Sequence, residues 1–167
     1  MLFVVVAVMA VITVVGAAAQ LARHPELRTA AGTSETILSW YLPSVVGIVG
    51  IFAFAGNAFV PGQVAAFIGW ETGPFQFEVA IANLALGVLG LLCLRWRGGF
   101  WLATGIGEAI WLVGDAIGHL RDMAQRQNYA PGNAGSGYGD LVVGVLTLVL
   151  VVLYWRSVPS TRTEWNA

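Results

Sequence analysis

Thr104, Glu108, Asp115 and His119 recur at offsets of four, seven and four residues within the apolar stretch from Phe100 to Leu120, FWLATGIGEAIWLVGDAIGHL. At 3.6 residues per turn these offsets nearly close whole turns, so the four side chains share one stripe of a helix. Such a stripe cannot face lipid, and ionisable groups inside a membrane default to a functional site. Asp115 and His119, one turn apart, have the spacing of two metal ligands. Glu78 or Asp140 would complete a mixed oxygen and nitrogen site (Glu78, Asp115, His119, Asp140) for a divalent metal such as Zn, Mn or Fe. The plainer account is a hydrogen-bonded Asp–His pair, with Glu78 and Asp140 acting as helix caps or resting at the favourable end of a helix dipole. Glu108 is the harder case. It falls mid-membrane with no Arg at its depth, so it must be protonated, bonded to Thr104 or another polar group, or reached by water. Asn57, Gln76, Asn83 and Asn133 complete the candidate ligand-binding set, with Glu78, Glu108, Asp115, His119 and Asp140.

The elements that must hold these groups are membrane helices. Of 167 residues, 57% are hydrophobic and only 10% are charged, against about 25% charged in a typical soluble domain. Mean hydropathy is +0.76. The expected fold is all-α, an integral membrane bundle of five transmembrane helices forming one domain over residues 1–167. Net charge is −1 with no basic block, which excludes a nucleic-acid partner. The single cysteine, Cys93, lies in an apolar segment and offers neither a disulfide framework nor a CxxC motif. It reads as a small core residue.

In chain order, residues 2–22 form a continuous apolar run ending AAAQLA. No positive residue precedes it, as a signal peptide would require, so it is expected to remain as the first span. A polar link follows, with Thr33 and Ser34 as N-caps for a second span over residues 36–58. Pro43 should be tolerated in its first turns or bend it, and Gly47 and Gly50 offer a close-packing face. Residues 59–74, punctuated by Pro and Gly, are too short to cross and are expected at the surface or re-entrant, with Trp70 at the interface. Pro74 suits the first turn of a third span, 75–94, on which Gln76, Asn83, Gly87 and Gly90 share a face. Glu78 points elsewhere if that helix is regular. The fourth span, 100–120, carries Gly107, Gly114 and Gly118 as a second close-packing stripe. Residues 121–139 are Gly-rich and expected as a loop, with turn chemistry at Pro131-Gly132-Asn133. Asp140 opens the fifth span, 140–156.

Five spans put the termini on opposite sides. Arg23, Arg28, Arg95, Arg97, Arg156 and Arg162 fall on one side and Arg121 and Arg126 on the other, so the positive-inside rule predicts the N-terminus outside and the C-terminus cytoplasmic. With that orientation Asn57, Glu78, Asp115, His119 and Asp140 gather toward the outer leaflet, and only Glu108 sits near the centre. The segments 59–73 and 121–139 would cover them. The seven Trp residues fall mostly at predicted interfaces, as an aromatic belt does.

PFQFEVAIANLALGVLGL within Gly69 to Leu92, GDAIGH at Gly114 to His119 and NYAPGNAG at Asn128 to Gly135, with Asp140 beyond, resemble an uncharacterised family of small bacterial multi-pass membrane proteins. The resemblance implies a helical membrane fold in the bacterial cytoplasmic membrane and no particular activity; the layout is also similar to that of DoxX-like membrane proteins, which include accessory subunits of quinone-linked oxidoreductases. Three functions follow as expectations. The first is an outward-facing carboxylate and histidine site that binds or conducts a cation, proton or small polar ligand. The second is an accessory or scaffold subunit that packs within a homo-oligomer or a larger redox or transport complex, in contact with lipid or quinone. The third is a metal-dependent membrane enzyme, against which stands the absence of a nucleophile motif, of HExxH and of a Gly-rich phosphate loop.

Overall fold

The computed structural model describes residues 2–157, and Arg162 lies outside them. Regular structure among the described residues is helical: α1 (Leu2–Arg23), α2 (Ala30–Tyr41), a π-helical segment (Leu42–Ile48), α3 (Val49–Phe59), α4 (Pro61–Ile68), α5 (Pro74–Leu92), α6 (Gly99–Arg126) and α7 (Pro131–Ser157). The π segment joins α2 and α3 into one rod, so five helical stretches are long and apolar enough to cross a bilayer. Their outward faces carry Val4, Val11, Val15, Ile81, Ile106, Ile110, Ile117, Val142, Leu146 and Leu153, all exposed. In a bilayer these faces meet lipid tails, which need no polar partner.

The second span begins earlier than the sequence suggests. Thr29, not Thr33 or Ser34, is the N-cap, its Oγ1 accepting from Gly32 N at 3.1 Å. Thr33 and Ser34 instead donate back to the carbonyls of Leu27 and Ala31. Starting at Ala30 moves Pro43 into the helix interior, where it has no N–H to give and its ring crowds the carbonyl four residues back. Widening the turn relieves this: Val49 N bonds to Ser44 O, an i→i−5 link. Ser44 Oγ donates to Trp40 O and meets Thr13 Oγ1 of α1 at 3.0 Å.

Two helix pairs form the frame. In the first, α3 and the π segment cross α5 in backbone contact. A methyl group at Gly90 would lie 2.4 Å from Gly47 N, and one at Gly87 would lie 2.7 Å from Ile51 N. Gly47, Gly50, Gly87 and Gly90 thus use the faces their spacing proposed. In the second, α6 lies along α7, with Gly105 against Val151 and Gly144 against Val113. The expected seam of Gly107, Gly114 and Gly118 is not used in this way: nothing lies within 4 Å of a methyl built at Gly114 or Gly118, and one at Gly107 only touches Leu86 at 3.7 Å. The physical reason is rotation, since the face that turns Glu108 and His119 inward leaves Gly114 and Gly118 exposed.

At one end of the bundle the pairs are closed by a core of Leu38, Leu42, Val46, Cys93, Trp101 and Tyr154. Trp101 donates from Nε1 to Cys93 O at 2.9 Å, and Tyr41 meets Thr147 Oγ1 at 2.6 Å. At the other end the pairs diverge, α4 lies across the gap, and Leu2, Phe3 and Val6 of α1 line it. Residues 121–139 are not the loop expected. Helix α6 continues to Arg126, Gln127 ends it in the left-handed region (φ 55°), and α7 starts at once with Pro131 in its first turn. Three glycines of this stretch serve contact rather than turning: Gly132 abuts Phe67, Gly135 abuts Phe3 and Gly137 abuts the Cβ of His119.

Candidate functional site

The polar stripe of α6 is its inward face. Thr104 is 2% exposed, Glu108 8% and His119 3%. One turn before His119, Asp115 Oδ2 stands 3.5 Å from His119 Nε2, beyond a good hydrogen bond. Asp140, on the third turn of α7, joins them: one ligand atom from each of Asp115, His119 and Asp140 lies within 4.8 Å of the others.

What fixes His119 is its other nitrogen. Asn133, 0% exposed on the first turn of α7, places Oδ1 2.6 Å from His119 Nδ1 and Nδ2 2.7 Å from Asn128 O and 3.4 Å from His119 O. Two carbonyl oxygens flank Nδ2, so the amide NH2 must lie there and Oδ1 must face the ring. An acceptor at 2.6 Å requires His119 Nδ1 to carry the proton. In the neutral ring Nε2 then presents a lone pair toward Asp115 and Asp140, the arrangement by which an outer partner orients a ligating histidine.

A second tier holds that tier. Trp70 stacks on the His119 ring (4.8 Å between centroids, 13° between planes) and donates from Nε1 to Asp122 Oδ2 at 2.8 Å. Asn128 donates from Nδ2 to Asp122 Oδ2 (2.7 Å) and Ile68 O (3.0 Å). Gly69 makes this possible: at φ 78° it ends α4 in a conformation that disfavours a side chain, and a methyl there would sit 2.8 Å from Asn128 Oδ1.

The gap between the helix pairs is a cavity of about 370 Å³. Asp115, His119, Asp140 and Trp70 line it at the α4 end, Glu108 lies two turns further along α6, and Val49, Ala53, Val79, Leu112 and Val143 form apolar wall. Asn57, Gln76 and Asn83 also line it. Gln76 Nε2 donates to Pro61 O (3.0 Å) and Asn57 Oδ1 (3.4 Å), tying α5 to α3 and α4, while its Oε1 is buried without a partner. Asn83 Nδ2 donates to Val79 O at 2.9 Å, which leaves its amide oxygen for the cavity.

Of the four residues that the sequence offers as metal ligands, the structure brings together three. Glu78 is exposed and stands outside both the cluster and the cavity. It is two residues from the cavity-lining Gln76, about 200° around the helix. Asn133 supports the site from behind rather than lining it. Trp70, placed at the interface by composition, Asn128, which only heads the NYAPGNAG motif, and Asp122, singled out by no motif, are residues to which the sequence reading gave no role in the site. The available signals were the spacing of Asp122, three residues after His119 on α6, and the place of Asn128 at the head of that motif. The second histidine, His24, is remote and pairs with Glu26 at 3.0 Å on an exposed turn; backbone hydrogen bonding, then His24, holds that carboxyl below its usual range.

The chain belongs to a family of unknown function (DUF6790), whose model matches residues 3–160. This agrees with the resemblance of its motifs to an uncharacterised domain family. No curated protein and no solved structure matches the chain.

Proposed function

We propose that this family member is a cation-binding protein of the bacterial cytoplasmic membrane, whose site is formed by Asp115, His119 and Asp140 at the outer-leaflet end of the bundle. The observation that carries the reading is the Asn133–His119 bond of 2.6 Å, because it puts the ring proton on Nδ1 and so makes Nε2 of the neutral ring an acceptor facing two carboxylates. Three acceptor groups with one atom each within 4.8 Å of the others would repel one another without a cation or a shared proton. Metal bonds of about 2.0–2.2 Å would hold such atoms roughly 3–4 Å apart, a closure that side-chain rotation supplies. The outer placement rests on the positive-inside rule: Arg23, Arg28, Arg95, Arg97 and Arg156 lie at the far end of the bundle from Arg121 and Arg126.

Zn2+ titrated into the purified chain in detergent should bind at one site per chain and lose at least tenfold in affinity in Asp115→Asn and in Asp140→Asn, while Glu78→Gln binds as the parent does. Unchanged binding in both Asp variants refutes the site. The open glycines Gly114 and Gly118 favour one further reading, association of α6 with a helix of a second copy or of a larger complex. Cross-linking of the chain in its native membrane tests it.

A further inference from the structure

Glu108 is unexplained by a cation site at the α4 end of the cavity. It is more than nine-tenths buried, lines the same cavity, and forms no hydrogen bond among the described residues. An orphan carboxyl group in a bundle interior is costly unless something in the cavity answers it. The cavity is also too large for that site alone. A metal ion with a few waters of about 30 Å³ each fills a small part of 370 Å³, whereas organic-ligand sites begin near ~300 Å³.

The two acidic stations are separated by apolar wall. Glu108 and Asp115 are seven residues apart on α6, roughly 10 Å along the axis, and Val49, Ala53, Leu112 and Val143 line the cavity. The amide oxygen of Asn83 adds an acceptor to the cavity lining. At the α4 end, Nε2 of the neutral His119 ring and the carboxylates of Asp115 and Asp140 make three acceptors, matching the three N–H donors of one primary ammonium.

Resting on the cation-site reading above, we propose that the cavity binds a short aliphatic diamine or an N-substituted derivative of one, with one ammonium among Asp115, His119 and Asp140 and the other at Glu108. Charge-assisted N–H···O contacts take up about 2.8 Å at each end, leaving roughly 5 Å between nitrogens, which is about three methylene groups extended or four with a bend. The apolar wall packs those methylenes, and the space toward Leu2, Phe3 and Val64 admits a substituent.

Calorimetry on the full chain in detergent tests this with 1,4-diaminobutane, n-butylamine and Zn2+ as separate probes. The expected result is that the diamine binds at least tenfold more tightly than the monoamine and displaces Zn2+. Glu108→Gln should bring the diamine to the monoamine's level while Zn2+ binding stays at the parent's. Ala53→Phe, which fills the space between the stations, should weaken the diamine and spare Zn2+. The parent comparison decides by itself should either variant fail to fold. Equal affinities for diamine and monoamine, with Zn2+ bound, overturn the diamine and leave the cation site standing. Binding of neither amine nor Zn2+ overturns both.

Discussion

Replacing Asn133 with Ala removes the group that sets the protonation of His119 without touching an atom that faces the cavity. Asn133 is fully buried and makes contacts of 2.6, 2.7 and 3.4 Å to His119 Nδ1, Asn128 O and His119 O. The shortest matters for binding, because without it the ring is free to move its proton to Nε2 and point a donor at the carboxylates. A buried donor left without its acceptor costs about 1–3 kcal/mol. Loss of an outer partner of a ligating histidine costs about 10- to 100-fold in metal affinity, roughly 1.4–2.7 kcal/mol. The first is a loss of folding stability and the second a loss of affinity, so Asn133→Ala should melt lower and weaken Zn2+ binding about 10- to 100-fold. Competition against a chromophoric chelator measures this, and nitrogen NMR of labelled histidine reads the tautomer directly. The parent should show His119 protonated at Nδ1 and the variant a mixture. A folded Asn133→Ala protein that holds Zn2+ within threefold of the parent, or a parent protonated at Nε2, refutes the reasoning.

Gly90→Ala should lower the melting temperature in detergent by the equivalent of about 1–3 kcal/mol, as overpacking does, because its methyl would meet the backbone of Gly47 at 2.4 Å. Gly114→Leu should melt as the parent does when the chain is monomeric, since nothing lies within 4 Å of its added methyl. Gln127→Gly should stabilise by about 0.4–1 kcal/mol, because a non-glycine residue holds φ 55° there; an unchanged or lower melting temperature contradicts this. A cysteine placed at Gln127 should react with an impermeant maleimide from outside intact cells, against a low background from buried Cys93. Reaction only after lysis reverses the orientation and moves the cation site to the cytoplasmic side.

The five membrane-crossing helices and the inward stripe of α6 were legible in the chain because both depend on local quantities. Hydropathy over a window sets where a span lies, and 3.6-residue periodicity sets which side chains share a face. The one-turn separation of Asp115 and His119 needed nothing else. Helix ends were less legible. Thr29 capping and the continuation of α6 to Arg126 run through polar or Gly-rich sequence that composition reads as loop, and short contacts such as Gly132 on Phe67 decide otherwise.

Which faces meet is a matter of rotation and partner, and those are set by packing across the whole bundle. From spacing alone, Gly47 and Gly50 on the one hand and Gly114 and Gly118 on the other are equivalent stripes. Only the tertiary structure put the first pair against Gly87 and Gly90 and left the second open. The same holds for the acids. Asp140 and Glu78 each sit in the half of their helix on the site's side of the bundle, yet α7 turns Asp140 to His119 and α5 turns Glu78 away. The proton on His119 Nδ1 is the least local feature of all. It depends on one amide held between Asn128 and His119 across the junction of α6 and α7, and no periodicity in the chain encodes that.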